Sequence, residues 1–114
     1  MSSGIEKKVG QLLKEAFPSY NIKAQKVVQY SNVKLSFDFY LPELKLMVEV
    51  QGEQHYTYNK FFHKSDQDLQ AQKYRDMLKT QYIVENELKL LEIKYDEVSQ
   101  LDIASIKQLV LETI

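Results

Sequence analysis

Cysteine is absent from this 114-residue chain, which excludes disulfides and every metal site built on thiolates. Long apolar runs are absent too. The longest are a few residues, far below the roughly 20 that cross a bilayer, and MSSGIEKK runs straight into an amphipathic pattern rather than a signal peptide. A cytoplasmic protein without membrane attachment is expected. A basic excess is also missing: 15 Lys and Arg against 16 Asp and Glu leave a formal net charge of −1. Strong nucleic-acid binders carry surplus positive charge, because phosphate neutralisation dominates their affinity. Any such surface here must be local, or include a bound cation. Proline occurs twice and glycine three times, and no repeat, linker or low-complexity stretch divides the chain. Its length and its 44% hydrophobic content suit one domain, residues 1–114, with a real core.

Hydrophobic periodicity gives the element order. Ile5, Val9, Leu12, Leu13 and Ala16 recur at helical spacing and Pro18 ends the run, which predicts a helix over roughly 3–17. Residues 22–30 read as a strand, with a turn at Ser31-Asn32. Val33, Leu35, Phe37, Phe39 and Leu41 then alternate strictly. Pro42 and Glu43 turn the chain into a third strand, 45–51, which Gly52 terminates. Residues 53–65 carry no sustained period and read as a loop with short structure. A second helix starts near Ser65 or Asp66 and runs to about Glu85, with Asn86 at its end, a strand covers 88–93, and Asp102 caps a final helix. The first three strands form an antiparallel meander. The fourth, returning after a helix, lies parallel to the third. The expected fold is α/β: a mixed central sheet flanked by helices, in the order αβββαβα.

The chemistry is carried by carboxylates on neighbouring strands. Alternation sends Phe37 and Phe39 one way and Asp38 the other; in the next strand Val48 and Val50 oppose Glu49 and Gln51. A hairpin through Pro42 brings Asp38, Glu49 and Gln51 onto one face. Carboxylates beside an apolar strand are costly unless something positive joins them, and a divalent metal is the usual answer. A hydrolytic metal site is therefore expected.

The arrangement D-F-Y-L-P-x-L-K-L-x-V-E-V-Q-G-E-Q-H-Y, then K-Y-R-D-M-L-K and N-E-L-K-L-L-E-I, resembles small PD-(D/E)xK endonucleases. The nearest branch looks like the very-short-patch-repair endonucleases with the related phage-encoded homing endonucleases and DUF559-type proteins. The resemblance covers about residues 5–95 and implies a restriction-endonuclease-like fold. It implies a metal-dependent DNA endonuclease of phage or mobile-element type, nicking or selective for a site or structure, using Mg²⁺ or Mn²⁺. Asp38 matches the superfamily's metal-binding aspartate and Glu49 its second acidic ligand. Gln51 stands where most members place a lysine. His55 resembles the histidine that follows this strand in the repair branch, and Glu6 matches an additional acidic residue on the first helix. Asp76 and Lys79 fall at accessory positions of the second helix. The missing lysine is one departure; the other is the lack of a Cys/His set for the structural zinc of the repair enzymes.

On this reading Asp38 and Glu49 hold the metal, with the Val50 carbonyl a further ligand, while Gln51 and His55 position or deprotonate water. Lys60, Lys64 and Lys73 would hold the DNA strand, with Tyr56, Tyr58 or Phe62 for stacking. Tyr56, Tyr58, Phe61 and Phe62 could equally pack beneath their loop. RNA remains open as substrate, as does a homodimer. Two other classes compete: a nucleic-acid-binding module that has lost catalysis, for which Gln51 would be the mark, and an interaction subunit of a phage complex.

Overall fold

Val9, Leu12, Leu13 and Ala16 form the buried stripe of the first helix, α1 (Gly4–Ala16). The computed structural model describes residues 4–52 and 66–114. Three strands follow α1: β1 (Lys23–Tyr30), β2 (Val33–Leu41) and β3 (Leu46–Gln51). The helix α2 (Asp66–Glu85), the strand β4 (Lys89–Lys94) and the helix α3 (Ile103–Thr113) complete the order.

Local chemistry sets the corners. Tyr30 pairs with Val33 across Ser31 and Asn32, both at positive φ (52° and 62°), as a two-residue primed hairpin turn requires. Pro42 opens a short 3-10 turn that ends in Lys45 at φ 50°. The N–H of Leu88 donates to the Ile83 carbonyl and that of Glu87 to Val84, closing α2 with Glu87 at φ 54°. Asp102 and Ser105 exchange capping bonds of 2.8 Å at the start of α3. The capping bonds from Ser105 hold the Asp102 carboxyl below its ordinary pKa.

The strands lie in the order β1-β2-β3-β4, antiparallel except for the parallel β3–β4 pair. The fold is thus α/β, a four-stranded mixed sheet with helices on both faces. Successive residues of β3 sort the faces: Leu46 and Val48 join α1 and α3 in one buried cluster, and Met47 joins Leu78 and Ile83 of α2 in the other. No helix among the described residues is long and apolar enough to cross a membrane.

One local expectation fails. Phe37 and Phe39 do not share a face: Leu35 and Phe37 pack with α2, whereas Phe39 and Leu41 pack with α1 and α3. The change of side falls at Asp38. The β1–β2 register runs from Lys23↔Tyr40 to Tyr30↔Val33 but skips Gln25 and Asp38, and Gln25 has a φ of 55°. A left-handed residue cannot continue the pleat. Both strands therefore break their alternation at the same step, and Asp38 leaves the regular up-or-down pattern.

Candidate active site at the break in the sheet

The break in pairing determines what Asp38 can reach. The β2–β3 ladder runs from Leu41↔Leu46 to Phe39↔Val48, and its next step would set Asp38 against Glu49. At that step Asp38 Oδ2 instead accepts a hydrogen bond of 2.7 Å from the backbone N–H of Val50. Val50, expected to offer its carbonyl, thus contributes its N–H. The bond fixes one carboxylate oxygen of Asp38 in the gap between the strands.

Glu49 lies on the α2 side of the sheet with its side chain only 15% exposed. Burial pushes its pKa up to about 7, and the neighbouring Asp38 carboxyl adds to the rise; Lys79 pulls the other way. Lys79, from the middle of α2, sets its Nζ 2.5 Å from Glu49 Oε1 and 5.2 Å from the centroid of the Phe37 ring. Its ammonium thus meets the carboxylate and the aromatic ring together. Leu78, next to it, is one of the α2 residues buried on the sheet, which sets the helix phase that turns Lys79 inward.

Gln51 and Glu92 extend the site along the parallel pair. Glu49 is in register with Glu92, and the Gln51 side-chain amide donates to the Glu92 carboxylate. Glu49, Gln51, Asp76, Lys79, Thr80 and Glu92 line a cleft of about 160 Å³, room for a handful of waters at about 30 Å³ each. On the other side of the sheet, Glu6 of α1 accepts a 3.1 Å hydrogen bond from Gln25 Nε2. Burial raises the Glu6 pKa, and Asp38 raises it further. The break at Gln25 and Asp38 therefore couples acids from both faces.

The residues expected from sequence divide into three groups. Asp38, Glu49, Gln51 and Lys79 come together, Asp76 joins them at the exposed rim of the cleft, and Glu6 approaches Asp38 from the α1 side. Lys73 is exposed on α2 and lines neither this cleft nor its neighbour. His55, Tyr56, Tyr58, Lys60, Lys64, Phe61 and Phe62 lie outside the described residues. Glu92 was missed, although it interrupts an otherwise apolar strand in K-L-L-E-I-K, parallel to the strand of Glu49. Among the described residues, no group of three or more His, Cys, Asp or Glu side chains is arranged to hold a metal ion. Asp38 and Glu49 do supply two adjacent hard oxygen donors, and Mg²⁺ is commonly bound through one or two carboxylates with water and substrate completing its shell.

No protein-family model matches the chain, and no solved structure matches it. It is similar to three viral proteins. It is 42% identical over 64 residues to uncharacterized protein 307L of Invertebrate iridescent virus 6, covering 56% of this chain and 32% of the relative. It is 41% identical over 61 residues to uncharacterized protein 033L of Invertebrate iridescent virus 3, covering 54% and 31%. Against uncharacterized protein 094L of Frog virus 3 (isolate Goorha) the identity is 42% over 62 residues, covering 54% and 40%. The matches span between about a third and two fifths of the length of these curated relatives.

Proposed function

We propose that the chain is a divalent-metal-dependent endonuclease that hydrolyses phosphodiester bonds of DNA, built on a restriction-endonuclease-like frame of the PD-(D/E)xK kind. The observation that carries the reading is the pairing of Asp38 with a buried Glu49 that Lys79 contacts directly. The order α1-β1-β2-β3-α2-β4, with β3 and β4 parallel, supports it as well.

Two partly buried carboxyls, with Asp38 close enough to raise the proton affinity of Glu49, form a site that a cation would relieve. Asp38 and Glu49 would hold Mg²⁺ or Mn²⁺, which supplies Lewis-acid stabilisation of the phosphoryl oxygens and a lowered pKa for water when bound. The hydrogen bond from Val50 keeps Asp38 oriented before any ligand arrives. Gln51 carries no charge and cannot do the work of a cation. Lys79 can: it brings an ammonium to the same carboxylate from the neighbouring helix and can offset charge developing on the scissile phosphate. Gln51, held by Glu92, then acts as a neutral group that orients water.

Cleavage of supercoiled plasmid with Mg²⁺ or Mn²⁺ tests the reading. Relaxation or linearisation that Asp38→Ala, Glu49→Ala and a chelator each abolish is the expected result. A wild-type protein that leaves DNA and structured RNA intact under every divalent metal would overturn it in favour of a binding module.

A further inference from the structure

A second cleft, of about 310 Å³, opens between β2 and α2 beside the carboxylate site, and Asp76 and Lys79 line both. Its other polar walls are Lys34 and Ser36 from β2 and Gln72 and Arg75 from α2. The two clefts therefore share a wall and are opposite in character. The first gathers Glu49, Asp76 and Glu92 around one lysine. The second gathers Lys34, Arg75 and Lys79 around one carboxylate.

We propose that this second cleft binds a backbone phosphate of the nucleic-acid strand whose adjacent phosphodiester lies at Glu49. The proposal rests on the nuclease reading above. Lys34 and Arg75 come from different elements, yet they face the same recess. Among the described residues neither forms an ion pair. Three cations around the single carboxylate of Asp76 still repel one another unless a further anion joins them. Arg75 is the chain's single arginine; its planar fork matches two phosphate oxygens at once, with Ser36 and Gln72 as neutral donors beside it. A patch of this kind also meets the condition set by the net charge of −1: positive potential must be local. Lys79, shared by both clefts, links the bound strand to the carboxylates.

The test is fluorescence anisotropy of labelled oligonucleotides in chelator, with single-stranded DNA, duplex DNA and RNA as separate arms. Lys34→Ala/Arg75→Ala is compared with the charge-matched Lys14→Ala/Lys107→Ala on the α1/α3 face. The expected result is about a tenfold or greater loss for the cleft variant, with the slope of log affinity against log salt falling by about 2 for duplex DNA. The control should bind as wild type does. Equal losses in both variants, no loss in the cleft variant, or a wild type that binds none of the three oligonucleotides would overturn the proposal. Plasmid cleavage by the same proteins separates the two readings. Cutting by a wild type whose cleft variant binds normally sinks the phosphate cleft alone; cleft-dependent binding without any cutting sinks the nuclease reading alone.

Discussion

The Lys79 ammonium lies 2.5 Å from Glu49 Oε1, joining the middle of α2 to β3 at the point where β2 loses its pairing. Burial raises the proton affinity of Glu49, which is mostly buried, and this cation opposes that rise.

Lys79→Met should abolish most metal-dependent cleavage, with a loss of about a hundredfold or more on the scale of a single electrostatic stabiliser, while Lys79→Arg retains part of it. Stability should fall too, by about 1–3 kcal/mol at pH 8, and by much less at pH 5, where Glu49 carries a proton. Urea unfolding at the two pH values checks this. A loss equal at both would mean that Lys79 matters for packing alone.

Glu49 predicts a pH dependence of its own. Its folded-state pKa is raised from 4.5 to about 7, so the folded chain binds the proton more tightly than the unfolded chain. The corresponding stability is present in full below pH 4.5 and is lost as pH rises through 7. A shift of that size amounts to about 3 kcal/mol. In chelator, Glu49→Gln should remove this slope, gaining on wild type by that amount between pH 4.5 and pH 8. Parallel stability curves for the two proteins would show that Glu49 ionises normally.

Gly10 lets α1 settle onto Phe39: a Cβ there would come within 2.9 Å of Phe39 Cε1 and 3.0 Å of Cζ. Alanine improves helix propensity by about 1 kcal/mol, but overpacking a buried ring costs about 1–3 kcal/mol. Gly10→Ala should therefore lower Tm by a few degrees. Because Phe39 adjoins Asp38, plasmid cleavage should fall with it. A raised Tm with full activity would show that the ring moves aside freely.

Much of the architecture was legible because its signals were local. The extent of β2, the turn at Ser31-Asn32, the Asp102 cap and the helix between the last two strands all found their counterparts, including the parallel β3–β4 pair. Asp38 and Glu49 were legible as neighbours for the same reason. The reversal of faces at Asp38 was not, because it depends on a left-handed Gln25, where no glycine or asparagine signals positive φ. The role of Lys79 was hidden differently. Leu78 and Ile83 of α2 are buried, yet Tyr74, Met77 and Val84 of the same helix are exposed, so the apolar pattern did not define the face that meets the sheet. Lys34 and Arg75 depend on the same packing, and only the docked helix brings them into one recess.

The most direct test of the paired-carboxylate site is a calorimetric titration of the metal-free protein with Mn²⁺ at pH 8. One saturable site is expected, weakened at least about tenfold by Asp38→Asn and by Glu49→Gln. It should also weaken in wild type at pH 6, where Glu49 must first release its proton. No saturable binding by wild type, or binding that survives both substitutions, would contradict a metal site at Asp38 and Glu49.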